Sequence, residues 1–170
     1  MRNLLISFMT FAIITSCAPK NRMLVLFYSQ EGSTKEVAGQ ISNQTGADIV
    51  SFDVDDPYTG SFDETVARCL EEKSAGKVPG LKPLDIDLDD YEIIFLGYPI
   101  WFGTYAPPVM ALLNEIDFSG KKIVPFCTFG SGGLQASVAD LKKAVKGAEI
   151  LDGYGIRAAR IASAPAEIER

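Results

Sequence analysis

The sequence predicts an α/β fold in which five parallel strands form one sheet with helices on both faces. Short apolar segments alternate along the chain with longer segments of helical periodicity. Strand–helix–strand connections of this kind are right-handed, which winds the helices onto both faces of a parallel sheet. The 170 residues are enough for one domain with a full core, and their 47% hydrophobic and 22% charged content is typical of a globular protein.

The first half of the chain predicts two strands and two helices. The apolar run 23–28 has the composition of a strand buried on both faces. Residues 33–45 have helical spacing and stop at a glycine, which commonly ends helices. Residues 47–54 alternate as a second strand, and residues 63–75 return to helical spacing. Residues 76–90 carry two prolines and two glycines, which indicates a connector.

The second half predicts three strands and two helices. Residues 93–98 are a buried strand, and residues 107–116 are a helix with proline in its first turn. Residues 122–127 are the fourth strand, and residues 135–145 have apolar side chains at helical spacing. A short fifth strand is expected within residues 148–156, although two glycines interrupt it.

A small, polar turn follows the first strand and leads directly into a helix. Its candidate binding residues are Ser29, Gln30, Glu31, Gly32, Ser33 and Thr34. The first N–H groups of a helix lack partners inside it and lie at the positive end of its dipole, so this turn suits a terminal phosphate. The turn holds no lysine or arginine, unlike the loop of nucleotide triphosphatases. The alternative is an ordinary connection with Ser33 or Thr34 as N-cap.

The turn after the third strand contains the single tryptophan of the chain among glycines and prolines. Its candidate binding residues are Pro99, Ile100, Trp101, Phe102 and Gly103. Large rings are poorly placed in a surface loop unless they pack on something. These rings could pack either on a planar ring ligand or on the core of the protein.

The turn after the fourth strand has three glycines within four residues. Its candidate binding residues are Thr128, Phe129, Gly130, Ser131, Gly132 and Gly133. Glycines let backbone N–H groups approach the edge of a ligand closely. The alternative is a loose loop that caps the following helix. Ligands of such sheets bind outside the carboxyl ends of the strands at the topological switch point, where the three turns would lie side by side.

In all three turns the sequence resembles the flavodoxin family. YSQEGST, residues 28–34, is similar to the family's phosphate loop Y-S-x-T-G-x-T. GYPIWFGTYAPPV, residues 97–109, is similar to the loop that flanks the isoalloxazine ring, and the glycine-rich turn corresponds to a loop along that ring. The resemblance runs from Met23 to about Ile156. It implies the flavodoxin-like strand order 2-1-3-4-5, FMN as cofactor and Trp101 beside the flavin.

The chain departs from the family pattern at two places. Glu31 stands where the family has threonine, and a carboxylate would weaken phosphate binding unless it points to solvent or Lys35 shields it. The family normally ends in a fifth helix, whereas residues 165–170 make less than two turns. A reduced last helix would leave part of one sheet face bare, which is compatible with a homodimer, with another use of the tail or with a truncated gene product.

Composition excludes several kinds of function. The net charge of −6 disfavours nucleic acid and anionic membrane surfaces as partners. The chain has no histidine, which excludes serine–histidine catalysis and histidine metal sites, and we expect no metal. Cys69 and Cys127 are isolated, without a CxxC spacing, and the sequence leaves open whether they pair.

The N-terminus has the pattern of an exported protein. Residues 1–16 are interpreted as a signal peptide, because Arg2 precedes an apolar run too short to span a bilayer. Ile14-Thr15-Ser16-Cys17 resembles the bacterial lipobox, in which the cysteine is lipidated. Residues 17–22 would then be a tether and residues 23–170 the flavodoxin-like domain, anchored as a lipoprotein on the periplasmic or cell-surface side. The alternative is a plain signal peptide with an incidental cysteine.

These observations favour an FMN-binding electron carrier over a dedicated oxidoreductase. Its partner would be a redox protein or a small-molecule electron acceptor, and the lipid would be its sole membrane contact. The chemistry would belong to the flavin, so no catalytic side chain is expected. Two alternatives remain: an FMN-dependent reductase of quinones with a nicotinamide donor, and a binding module that kept the fold and lost FMN.

We predict that Cys17→Ala releases the protein from the membrane fraction, because it removes the site of lipid attachment. Stable anchoring takes more than one acyl chain, so several chains are expected on the native protein. Fractionation of cells expressing each form measures the effect. A variant that still partitions with membranes would contradict the lipoprotein assignment.

Overall fold

The computed structural model of the protein describes residues 22–168. Its strands are β1 (Arg22–Phe27), β2 (Asp48–Ser51), β3 (Tyr91–Trp101), β4 (Thr104–Tyr105), β5 (Lys122–Phe129), β6 (Glu149–Ile150) and β7 (Tyr154–Arg157). Its helices are α1 (Ser33–Thr45), α2 (Phe62–Ala75), α3 (Pro107–Glu115), α4 (Leu134–Ala144) and α5 (Ala164–Ile168), with 3₁₀ turns at Leu88–Asp90 and Ala158–Ser163. The signal peptide and lipidation predictions, Cys17 included, fall outside the described residues.

The parallel strands lie in the order β2-β1-β3-β5-β6. β7 also pairs with β5, on the same side as β6 but further towards the carboxyl end of β5. The predicted order 2-1-3-4-5 is therefore confirmed, with β5 as the fourth strand and β6 and β7 together as the fifth. β6 pairs with the start of β5 and β7 with its end, and residues 151–153 connect the two short strands. The two-residue strand β4 is antiparallel to the end of β3 and forms a hairpin with it.

Four predicted strands have different ends in the structure. β1 ends at Phe27 rather than at residue 28, and β5 continues to Phe129, so Thr128 and Phe129 belong to a strand rather than to a turn. β3 continues to Trp101, so Pro99, Ile100 and Trp101 belong to a strand rather than to a loop. β2 ends at Ser51, and Val54 instead forms an isolated antiparallel bridge with Leu81 of the connector. The bridge fixes this connector against the sheet edge.

Side chains of the central strands alternate between two apolar layers, as the period of a strand requires. Leu24 and Leu26 of β1 face a core that also contains Leu112 of α3 and Leu141 of α4. The intervening Val25 faces a second core. This second layer is built by α1 and by the tail, and its buried members include Phe27, Val37, Ile41, Phe126, Ile156, Ile161 and Ala164. Within residues 22–168, no helix has both the length and the apolar character that crossing a membrane requires.

The short tail covers the face that the sequence was expected to leave bare. Ile161 and Ala164 are buried in the same cluster as Val37 and Ile41 of α1. The amide of Gln44 donates to the carbonyl oxygen of Pro165 at 3.1 Å, which ties α1 to α5. A 3₁₀ turn followed by five helical residues thus does the covering, and the argument for a homodimer from a bare face has no support in the described residues.

The centre of the sheet depends on a residue without a side chain. Gly97 of β3 lies beside Phe27 of β1 and Phe126 of β5. A Cβ atom on Gly97 would lie 2.1 Å from Cζ of Phe126, whose side chain is almost fully buried. The ring occupies the space that any side chain at position 97 would need.

We predict that Gly97→Ala lowers the free energy of unfolding by about 2–3 kcal/mol, because the core must shift to relieve the overlap. Gly39→Ala is the matched control: a Cβ there meets nothing within 4 Å, and Gly39 lies in the middle of α1. This control should gain about 0.5–1 kcal/mol through helix propensity. Urea titration measures both values, and a Gly97→Ala variant as stable as the parent would contradict the packing described.

Candidate functional site

Three turns lie together at the carboxyl edge of the sheet, because β1, β3 and β5 are adjacent and parallel. We call residues 29–34 the first turn, residues 99–105 the hairpin and residues 128–133 the third turn; the third turn includes the last two residues of β5. The hydroxyl oxygens of Thr34 and Thr128 are 2.8 Å apart and buried, which joins the first turn to the third. A Cβ on Gly133 would lie 2.9 Å from Cγ2 of Ile100, so the third turn also packs closely on the hairpin.

The first turn leaves the start of α1 open. Gly32 is the N-cap with a left-handed φ of 94°, and its N–H donates to Oγ of Ser29 at 3.1 Å. No side chain among the described residues caps α1, so neither Ser33 nor Thr34 is the N-cap, contrary to the alternative considered from sequence. The first N–H groups of α1 are therefore available to an anion.

The polar side chains of the first turn point in different directions. The amide of Gln30 donates to the carbonyl oxygen of Tyr58 at 3.1 Å and to Oγ1 of Thr65 at 3.0 Å, which fixes it to the α2 side of the site. The hydroxyl of Thr34 is occupied by Thr128. Glu31 is exposed, which is one of the two arrangements that would reduce its repulsion of a phosphate.

The hairpin turns through two residues in the left-handed region. Ile100 pairs with Tyr105 and Trp101 with Thr104, and the intervening Phe102 and Gly103 have φ angles of 51° and 82°. Positive φ at both positions is typical of the type I′ turns that join twisted strands. The conformation costs a non-glycine residue about 1–2 kcal/mol, and it leaves Phe102 60% exposed.

Trp101 is half-buried and packs edge-on against two tyrosines. Its ring centroid is 5.2 Å from that of Tyr58, at 75°, and 6.1 Å from that of Tyr28, at 85°. The guanidinium of Arg68 lies 4.0 Å from the ring centroid of Tyr58, and its Nε donates to Glu72 at 2.8 Å. The Tyr58 hydroxyl also donates to Glu72, and burial together with this carboxylate raises the pKa of Tyr58 far above its ordinary value.

The third turn is shaped by glycines and follows an unreactive cysteine. Gly132 and Gly133 have φ angles of 137° and 118°, and Gly133 is the N-cap of α4. Burial raises the pKa of the Cys127 thiol to about 12, so it stays protonated at neutral pH. Cys127 and Cys69 are both buried free thiols, which answers the question that the sequence left open.

The sequence interpretation did not identify Tyr28, Arg68 and Glu72 as parts of the site. The i,i+4 spacing of Arg68 and Glu72 on a predicted helix was a signal for their ion pair. Their contact with Tyr58 had no local signal, because it depends on how α2 lies over the loop after β2.

A doubly wound sheet with an open helix start, an aromatic hairpin and a glycine-rich turn at its switch point is the architecture of an α/β protein that binds a ligand at this edge. The chain belongs to the flavodoxin family. The family model described as Flavodoxin matches residues 22–163, most of the chain.

One curated protein and two solved structures are similar to this chain. The chain is 29% identical over 106 residues to flavodoxin 1 of Salmonella typhimurium, a match that covers 60% of the chain and 46% of that relative. A crystal structure from Bacteroides uniformis ATCC 8492 has a TM-score of 0.78 at 22% identity, over 88% of this chain and 99% of the other. A flavoprotein in complex with FMN from Lactobacillus acidophilus NCFM has a TM-score of 0.72 at 22% identity, over 79% and 93%. The chain thus spans about half of the curated relative, and the two solved structures have the same fold as this chain.

We predict a coupling between Thr34 and Thr128. Thr34→Val and Thr128→Val should each lower the free energy of unfolding by about 1–2 kcal/mol, because each leaves a buried hydroxyl without its partner. The double variant should cost about 1 kcal/mol less than the sum of the two. Urea titration of all four proteins measures the cycle. Thr59→Val, at an exposed loop position, should change stability by less than about 0.5 kcal/mol. Strictly additive costs would contradict the hydroxyl pair.

Proposed function

We propose that the protein binds FMN at the three turns and transfers electrons. The observation that carries this proposal is the open start of α1 beside an aromatic hairpin and a glycine-rich turn, in a chain of the flavodoxin family. FMN supplies one- and two-electron chemistry when bound, and the residues of the chain bind it, orient it and set the electrostatics around it.

The donors of the first turn fit a phosphate group. The N–H groups of Ser33, Thr34 and Lys35 begin α1, and the hydroxyls of Ser29 and Ser33 lie in the same turn. Backbone N–H groups at a helix start bind anions without a basic side chain. Glu31 is the sole carboxylate within this turn, and its exposure limits the cost of its charge.

The other two turns fit a flat ring. The left-handed glycines 132 and 133 keep the backbone of the third turn clear of side chains, and the hairpin offers the exposed ring of Phe102. Trp101 is held by Tyr28 and Tyr58, so its ring can border a ligand without further ordering. An acidic protein of net charge −6 disfavours extra negative charge on a ligand, which lowers the reduction potential of a bound flavin.

A second candidate is an FMN-dependent reductase of small molecules. It is favoured by a cavity of about 610 Å³ that borders Trp101 and Phe102 and would admit a substrate.

Export and lipidation at Cys17 remain predictions from the N-terminal sequence, and the Cys17→Ala fractionation tests them.

The visible spectrum of the purified protein tests the proposal. We expect a yellow protein that releases FMN rather than FAD on denaturation. Oxidation of NADH or NADPH, measured with and without a quinone, then separates an electron carrier from a reductase. A colourless protein that takes up no added FMN would contradict the proposal and favour the binding module.

We predict that Glu31→Thr tightens FMN binding about tenfold, which corresponds to about 1.4 kcal/mol. A carboxylate near a phosphate dianion repels it by an amount of this order, even in a medium close to water. The gain should shrink in high salt because Glu31 is exposed. Titration of FMN-free protein with FMN measures the change.

Two controls distinguish this effect from a general change of charge. Riboflavin lacks the phosphate, so its affinity should be unchanged in Glu31→Thr. Asp117→Asn removes one exposed carboxylate before β5, at the opposite end of the sheet, and should leave FMN affinity unaltered. Equal tightening of riboflavin and FMN would mean that Glu31 does not face the phosphate.

A further inference from the structure

A cavity of about 610 Å³ lies between α2, the hairpin, α3 and α4. This volume is within the range of small-molecule sites in proteins. Its apolar lining includes Cys69 and Val78 on the α2 side, with Tyr105 and Met110 opposite. Among the six large hydrophobic residues that are exposed in the described part of the chain, Val78, Phe102 and Met110 all border this cavity. Exposed apolar side chains gathered at one concave place indicate a binding surface.

Both carboxylates that line the cavity are already paired. Glu72 accepts from Nε of Arg68 at 2.8 Å and from the hydroxyl of Tyr58. Asp140 accepts from Nζ of Lys143 at 3.0 Å and from the hydroxyl of Thr104 at 2.9 Å. The negative charges of the wall are therefore compensated by groups of the protein itself, and they do not select the charge of a ligand.

Two lysines of the same wall have no such partner. Lys73 in the last turn of α2 and Lys77 just after it line the cavity, and neither forms an ion pair with any residue between 22 and 168. The uncompensated charge of the cavity is thus positive, although the protein as a whole carries −6. A local positive charge on an acidic protein attracts an anion to this place rather than to the surface at large.

We propose that this cavity binds a planar aromatic molecule that carries one anionic group. The rings would lie on the apolar wall formed by Trp101, Tyr105 and Met110, and the anion would face Lys73 and Lys77. Aromatic and apolar walls with a few polar groups that fix orientation are the usual composition of such sites. Binding is inferred from the cavity alone; a role for the ligand as electron acceptor would rest on the proposed function.

Calorimetric titration with two matched probes tests the inference. Naphthalene-2-sulfonate and naphthalene-2-sulfonamide have the same ring system, and only the first is charged. We expect saturable binding of one sulfonate per protein, about tenfold tighter than the sulfonamide. Equal affinities, or heats that do not saturate, would overturn the proposal.

Paired lysine variants locate the site. Lys73→Gln combined with Lys77→Gln should weaken the sulfonate about tenfold and the sulfonamide less than about twofold. Lys142→Gln combined with Lys146→Gln removes the same total charge outside this cavity and should weaken the sulfonate less than about twofold. Ala144→Phe, at an exposed position of the cavity wall, should abolish binding of both probes by filling the space. If both double variants lost the same affinity for the sulfonate, the effect would come from the net charge of the protein rather than from this cavity, and the proposal would be overturned.

Titrations with and without saturating FMN separate this inference from the proposed function. Trp101 and Phe102 border both the cavity and the proposed FMN site, whereas Lys73, Lys77 and Met110 lie outside the three turns. Because the anion would face these two lysines, the affinity for the sulfonate should change less than about twofold when FMN is bound. Displacement of the sulfonate by FMN would place the probe in the FMN site and overturn the cavity assignment. A protein that takes up no FMN yet binds the sulfonate through Lys73 and Lys77 would support this inference while the proposed function fails.

Discussion

Two buried hydroxyl groups hold the candidate site in register. Thr34 is the second residue of α1 and Thr128 lies near the end of β5, and each hydroxyl is the hydrogen-bond partner of the other away from water. Burial of a hydroxyl without a partner is costly, so the start of α1 cannot move relative to β5 without losing this bond. The open N–H groups of the first turn are thereby kept at a fixed distance from the third turn.

Local patterns predicted most of the fold. Helix α1 begins and ends where its spacing and Gly46 indicated, and α3 starts at the expected proline pair. The sequence also contains the signal for the start of α2, because Ser61 and Glu64 form a capping box and have its S-x-x-E spacing. The three turns could be located because glycine and hydroxyl residues favour turns, where the backbone leaves the regular conformation of a strand or helix. Aromatic residues outside the predicted strands marked the second of them.

The features that sequence did not predict depend on distant parts of the chain. Thr34 and Thr128 are 94 positions apart, and no local pattern relates them. The sequence did not predict the hairpin, because its two-residue turn is Phe102-Gly103 rather than the Asn-Gly that usually indicates such a turn. The covering of the second sheet face by the tail arises from the docking of Ile161 and Ala164 on α1, which is a tertiary packing effect rather than a property of helix length.

Helix α2 connects the candidate cofactor site with the cavity. Its buried residues are only Thr65 and Cys69, so polar contacts rather than an apolar face hold it in place. Gln30 of the first turn donates to Thr65. Tyr58 packs edge-on against Trp101, and its hydroxyl donates to Glu72 of the cavity wall. An element with few buried apolar contacts opens more readily than the core does. Movement of α2 would therefore alter the cavity and the support of the first turn together, through the same few hydrogen bonds.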